Sequence, residues 1–263
     1  MAPTATALAS AIDDALIPPP EVLPDYARRG DFKQSAAAFV ETAADRGLEP
    51  HHRVLDLGCG IGRFAIAFAA FADENASYEG LDVKKRAIAA CEKYISSHLP
   101  RFRFHLVDVF NSYYRRDAGA SAASYSFPFA DESFDFVFSN SLFTHLTQAD
   151  FEHYLVEIGR VLKPSGRALN TFFLINRASE QAMQVHRPDA FPFPAEGGVA
   201  RVRNPERHEA AIAYLEDFVR ETHAAAGLRI EEPVLYGPWS GREDPGDTFN
   251  NKDMVVAVRE SVP

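Results

Sequence analysis

Apolar positions recur along the chain with two different periods. Ser35 to Arg46 carries Phe39, Val40, Ala43 and Ala44 at helical spacing and ends at Gly47. Arg53 to Leu57 is a short apolar run, which predicts a buried strand, and the glycine-rich stretch Gly58 to Gly62 follows as a turn. Arg63 to Ala72 reads as an apolar helix with Phe64, Ile66, Phe68 and Phe71. Ser77 to Val83 reads as a second strand. Lys84 to Leu99 repeats Ile88, Cys91, Ile95 and Leu99 on a helical face, and Arg101 to Val107 gives a third strand. After a polar connection over 111–131, Phe134 to Ser139 is a fourth strand. Asp150 to Leu162 is the clearest amphipathic helix: Phe151, Tyr154, Leu155, Ile158, Val161 and Leu162 share one face, and Lys163-Pro164-Ser165-Gly166 stops it. Arg167 to Leu174 is a fifth strand. Residues 176–206 read as irregular and proline-rich, Arg207 to Ala226 as a helix capped by Gly227, and Leu228 to Tyr236 and Asp253 to Arg259 as two last strands.

Strand–helix alternation through five units predicts an α/β, doubly wound sheet of seven strands, mostly parallel, with the last strand antiparallel. Residues 1–34 are expected to form an N-terminal arm. Residues 35–263 are expected to form a single domain, with a lid inserted after strand five over about 176–226. A lid of this kind excludes water from chemistry beneath it. In such sheets ligands sit beyond the carboxyl ends of the strands, so the residues just after each strand carry the functional information.

Composition narrows the choice of partner. The 263 residues carry 27 Lys and Arg against 37 Asp and Glu, a formal charge of −10. That balance argues against nucleic acid, whose phosphates want a basic surface. No apolar run approaches the length of a membrane span, and the Ala-rich N-terminus carries Asp13 and Asp14 where a secretion signal is basic. The expected setting is the cytoplasm and the expected partner a small molecule, with a homodimer left open. Two cysteines, Cys59 and Cys91, are too few for a disulfide framework. The 21 phenylalanines divide into core positions (Phe64, Phe68, Phe134, Phe136) and a group expected near a pocket edge: Phe143, Phe172, Phe173, Phe191 and Phe193.

The turn Gly58-Cys59-Gly60-Ile61-Gly62 lets backbone approach a ligand closely and leads into a helix N-terminus that favours negative charge. It is not the dinucleotide fingerprint, since Arg63 stands in the sixth position. Asp82, 20 residues after Gly62, can accept both hydroxyls of an adenosine ribose. With Asp56-Leu57-Gly58-Cys59-Gly60-Ile61-Gly62 in place, and Gly80-Leu81-Asp82-Val83, Val107-Asp108-Val109, Ser133-Phe134-Asp135-Phe136-Val137 and Arg160-Val161-Leu162-Lys163-Pro164-Ser165-Gly166-Arg167 following in order, the sequence resembles the class I S-adenosylmethionine-dependent methyltransferases, which have a Rossmann-like fold. The resemblance covers about residues 50–175. It implies S-adenosylmethionine as cofactor and S-adenosylhomocysteine as its product. Asp56 and the turn (Gly58, Cys59, Gly60, Gly62) would hold the methionine part. Asp82 with Val83 would bind the ribose, Asp108 with Val109 the adenine, and Ser139 and Asn140 would border the sulfonium and the acceptor.

The amine-methylating Asn/Asp-Pro-Pro-Tyr/Phe signature is replaced by Ser139-Asn140-Ser141-Leu142. Asn140 and Asn176 offer no carboxylates for a catalytic metal at the ends of strands four and five, so no metal is expected. What remains is a metal-free transferase acting on a small molecule, with oxygen the first acceptor, on a sugar or a natural-product-like compound. His145 is the candidate base, weighed against a role in holding loop backbone. Phe143, Trp239 and Arg242 are the candidate acceptor contacts, Trp239 as a ring-stacking wall and Arg242 beside it. Arg187, Arg201 and Arg203 are options for an anionic group, and Gly30-Asp31-Phe32 for a cover over the cofactor. Trp239-Ser240-Gly241-Arg242 and Thr171-Phe172-Phe173-Leu174 resemble a bacterial methyltransferase subgroup, type 11-like, often found beside sugar and glycan biosynthesis. Two other readings stand: a cofactor-binding protein without transfer, and a nicotinamide-dependent oxidoreductase.

Overall fold

The computed structural model describes residues 3–25, 32–109, 121–195, 197–244, 246 and 248–260. The chain folds as two compact units, residues 1–107 and 108–263. Three strands pair in the first unit and four in the second, seven in all.

The first unit runs α1 (Ala5–Ala11), α2 (Phe32–Asp45), β1 (Arg53–Leu57), α3 (Arg63–Phe71), β2 (Ser77–Asp82), α4 (Lys85–Cys91) and β3 (Phe102–Leu106). Its strands are parallel in the order β1-β2-β3, with Asp56 opposite Gly80 and Gly80 opposite Phe104. Beneath the sheet Phe68, Tyr78 and Phe102 form one aromatic stack, the Tyr78 and Phe102 rings lying 5.5 Å apart and nearly coplanar. The N-terminal stretch, expected as an arm, begins with a helix capped by Thr4, whose side chain accepts from the Ala7 N–H. Leu8 and Ile12 are buried, α1 packs on α2 and α3, and α2 starts at Phe32 rather than Ser35. Alanine at four of the helix's seven positions hides the amphipathic pattern, because Leu8 and the capping Ile12 are the large apolar residues that mark its inner face. Gly30 and Asp31, read as a cofactor cover, lie outside the described residues.

The second unit runs β4 (Phe134–Ser139), α5 (Gln148–Val161), β5 (Leu162–Phe172), β6 (Leu174–Ile175), α6 (Arg177–His186), β7 (Phe193–Pro194), β8 (Ala200–Val202), β9 (Ile212–Leu215), α7 (Glu216–Ala225), β10 (Leu228–Ile230) and β11 (Asp253–Arg259). Four of its strands have the order β10-β11-β5-β4. β5 is parallel to β4, and β11 is antiparallel to both β5 and β10, so the final strand is the reversed one, as the sequence indicates. Every apolar residue expected on the inner face of α5 is buried. Burial of an aliphatic or aromatic side chain contributes about 1.5–3 kcal/mol, so this face anchors the unit. Phe143, Phe151 and Phe172 meet there with centroid separations of 4.9–5.7 Å.

Four expectations change. β5 begins at Leu162, where the Lys163-Pro164-Ser165-Gly166 stop was read, because the chain passes directly from the α5 cap into the strand. The segment 176–206 is not irregular. Asn176 and Ser179 form a reciprocal cap on α6, and β6, β9, β8 and β7 make a separate four-stranded sheet. Strands of two to four residues are too short to show a period. The first part of the expected 207–226 helix is a 3-10 turn (His208–Ala210) and β9. The strand read through Tyr236 stops at Ile230, and Leu235 alone bridges to Met254 beyond Pro233, which has no N–H for a ladder.

Candidate active site

In the first unit, backbone and two carboxyl groups converge at the carboxyl ends of β1 and β2. The Gly58 and Cys59 N–H groups both donate to the Leu81 carbonyl, at 2.8 and 3.0 Å, tying the turn to β2. Asp82 completes the tie: its Oδ2 accepts from the Gly60 N–H and its Oδ1 from the Lys84 N–H, both at 2.8 Å. Gly62 sits at φ 76° as the N-cap of α3, and a Cβ there would stand 2.4 Å from Ile95 Cδ1. A left-handed residue with no room for a side chain has to be glycine. Gly80 is equally constrained by space, with a Cβ falling 2.6 Å from Phe104 and 2.9 Å from Cys59 Sγ. The Cys59 side chain is therefore packing material. Cys91 lies beside it, its Sγ 3.4 Å from the Gly60 carbonyl. Val83 is half-buried at the strand end.

Asp56 is buried, and the Tyr78 hydroxyl donates to its Oδ2 at 2.5 Å. Burial pushes the Asp56 carboxyl up to about 8, helped by the Asp82 charge and opposed by the Tyr78 hydrogen bond and the Arg63 charge. Tyr78 went unread in the sequence. The available signal was a tyrosine inside a buried strand, whose hydroxyl must find a partner.

The second unit holds the other candidates. Asp108 is exposed and Val109 buried. Ser139, at the end of β4, is buried and donates to Asn170 Oδ1 on β5 at 2.7 Å. Ser141 adopts φ 66°, and its N–H donates to Thr171 Oγ1 at 2.8 Å. Asn140 Oδ1 and Asn170 Nδ2 are buried without partners among the described residues. Asn170 and Thr171 escaped the sequence reading, which looked for polar residues after strand five rather than within it. Asn176, the residue read at that strand end, caps α6 and donates to Glu216.

His145 is half-buried in a 3-10 turn, and its Nδ1 lies 2.7 Å from the Glu209 carbonyl oxygen. A carbonyl only accepts, so Nδ1 carries the hydrogen and Nε2 is the basic nitrogen of the ring. Two residues on, Thr147 and Gln148 open a cavity of about 350 Å³, also lined by Glu152, His208, Ile212 and Tyr214.

Two acceptor contacts expected from the sequence are corrected, and a third is placed differently. Phe143 is fully buried in the α5 aromatic cluster and presents no wall. Trp239 is buried among Ile175, Met183, Phe191 and Ala213, and its Nε1–H donates to Asp253 Oδ2 at 2.5 Å. Arg242 lies over the Tyr236 ring, 3.9 Å from the same carboxyl group and within reach of the Leu174 carbonyl. Asp253 organises this corner. It is fully buried and also accepts from the Leu174 and Gly237 N–H groups. Burial pushes its carboxyl up to about 7 against these donors. Arg201 pairs with Glu180, and Arg203 lies over Phe191.

Residues 54–166 match the family described as a methyltransferase domain. The arsenite methyltransferase of Mus musculus is 30% identical over 114 residues, 43% of this chain and 28% of that protein. The solved structure of the [4+2]-cyclase SpnF superposes with a TM-score of 0.59 at 20% identity, covering 100% of this chain and 98% of that one. The Burkholderia thailandensis 1,6-didemethyltoxoflavin-N1-methyltransferase, solved with S-adenosylhomocysteine, gives 0.52 at 16% identity over 90% of this chain and 84% of that one. Residues 54–166 thus resemble a methyltransferase domain, and the fold is shared with solved S-adenosylmethionine-dependent methyltransferases. The chain spans less than half the length of the curated relatives it matches.

Proposed function

We propose that the protein transfers a methyl group from S-adenosylmethionine to a small-molecule acceptor, with a hydroxyl as the first acceptor to test. The observation that carries this reading is the pinned turn: the matched segment contains glycines held by Leu81 and Asp82 at the head of α3, with Asp56 behind them. These residues fit a cationic, adenosine-bearing cofactor, which supplies an electrophilic methyl group on sulfonium sulfur. The α3 N-terminus receives its carboxylate. Asp56 faces the ammonium and Asp82 the ribose hydroxyls. Most of the rate in such an in-line displacement comes from alignment.

A hydroxyl acceptor must also lose a proton, and His145 Nε2 is the base of this proposal, its ring fixed by the Glu209 carbonyl. The cavity beside Thr147 and the charge of −10 support a small, non-polyanionic acceptor. The two free cysteines fit a reducing, cytoplasmic setting. The test is turnover: purified protein with S-adenosylmethionine and a panel of hydroxyl, amine and carbon acceptors, scored by release of S-adenosylhomocysteine. Release with hydroxyl compounds supports the reading. Tight cofactor binding without release across the panel points to a binding protein instead. With a hydroxyl substrate, His145→Ala should lower kcat by roughly 10²–10⁴.

A further inference from the structure

Tyr78 is placed where a side chain can govern the state of Asp56. Both residues are buried, and the hydroxyl approaches Asp56 Oδ2 to 2.5 Å. The ring is held from below by Phe102, nearly coplanar at 5.5 Å, and by Phe68 at 5.9 Å, so the hydroxyl has little freedom to leave. Register fixes the rest. Tyr78 lies opposite Val54 and Gly80 opposite Asp56, so the hydroxyl reaches forward one pleat along the strand to the carboxyl group. The phenol determines which oxygen of Asp56 is committed to the protein.

We propose that Tyr78 is a positioning residue for the cofactor: by donating to Asp56 Oδ2 it orients the carboxyl group and favours its ionised form, so that cofactor binding is coupled to release of the Asp56 proton. The inference rests on the reading that Asp56 faces the cofactor ammonium. The balance is simple. In the cofactor-free protein the buried carboxyl holds its proton, because burial and the Asp82 charge oppose ionisation. An ammonium beside it favours the carboxylate, the proton goes to solvent, and the Tyr78 O–H remains the donor to Oδ2. The groups acting on Asp56 are Tyr78 from β2, Asp82 at the end of β2, and Arg63 at the head of α3. The Cys59 thiol lies close by, pushed well up by burial and by the Asp56 and Asp82 charges, so it stays protonated.

Calorimetry of S-adenosylhomocysteine binding, in buffers of different ionisation enthalpy from pH 6 to 9.5, measures the protons released together with the affinity. Wild-type protein should release close to one proton near pH 7 and progressively fewer above about pH 8, with affinity rising by up to tenfold per pH unit below that point. Tyr78→Phe keeps the stacked ring and removes only the donor. It should weaken binding at pH 7 by about tenfold or more and carry proton release to higher pH. Asp56→Asn should abolish the Asp56 contribution. The free ligand's amino group titrates identically in all three experiments, so differences between the proteins report the bound state. Thermal unfolding without ligand reports the purely structural cost of each change. A Tyr78→Phe protein with the wild-type pH profile and proton count overturns the inference, even if it is less stable. Failure of the underlying reading looks different: Asp82→Ala and Asp56→Asn would both leave affinity unchanged.

Discussion

Trp239→Phe separates a structural indole from a substrate-facing one. The indole Nε1–H donates to the buried Asp253 carboxyl group, and the ring packs on Phe173 and Phe191 at centroid separations of 5.2 and 5.6 Å. Phenylalanine keeps much of the ring contact and loses the donor. A hydrogen bond to a charged acceptor contributes about 1.5–3 kcal/mol, and the smaller ring costs roughly 1 kcal/mol more in packing. The total of about 2–4 kcal/mol corresponds to a fall in Tm of about 5–15 °C. The assay is thermal unfolding followed by circular dichroism, since the protein's single tryptophan is the one removed. In the wild-type protein, that tryptophan's emission should be blue-shifted and insensitive to acceptor. Turnover below the transition should retain its KM. An unchanged Tm with a raised KM would refute this reasoning and return Trp239 to the acceptor wall.

Three further outcomes are expected. Gly80→Ala places a methyl group against Phe104 and Cys59 and should cost about 1–3 kcal/mol while weakening cofactor binding, read by unfolding and calorimetry. His223 is fully buried, with its Nδ1–H on the Val219 carbonyl and no partner for Nε2 among the described residues. Burial lowers its pKa from 6.5 to about 4, so the folded state binds fewer protons than the unfolded one. The stability linked to this residue is complete above 6.5 and falls as pH drops through 4, by roughly 3 kcal/mol in all. His223→Leu should remove that acid sensitivity. Asp56 and Asp253, raised to about 8 and about 7, act with the opposite sign, so the readout is the difference between variant and wild-type unfolding curves from pH 4 to 7. Asp253→Asn should lower Tm at pH 8 because its amide hydrogens meet the N–H groups of Leu174 or Gly237.

Most of the longer strands were legible because they carry apolar runs or alternations between helices that show a clear period. Arg53–Leu57 and Phe134–Ser139 are strands to the residue, and the α5 face is buried as its spacing implies. The small sheet was not legible, since two- to four-residue strands carry no period and form only where Phe191, Met183 and Trp239 close a local core. At the site, Asp56, Asp82 and the glycine turn could be read because their chemistry lies in the motif itself. Tyr78, Asn170 and Asp253 were missed because each sits inside a strand, and its partner is supplied by a neighbouring strand or a distant loop. Phe143 and Trp239 were misassigned for a related reason. An aromatic residue after a strand end reads as a pocket wall unless its packing partners are known.

The most direct test of the central claim compares S-adenosylmethionine binding by wild-type protein and Asp82→Ala in one calorimetric experiment, with NADH as the competing ligand. Asp82 both pins the Gly60 N–H and offers its carboxylate at the end of β2, so its loss should weaken S-adenosylmethionine binding at least tenfold, with no NADH binding by either protein. Unchanged affinity in Asp82→Ala, or tight NADH binding with none of S-adenosylmethionine, would contradict the account.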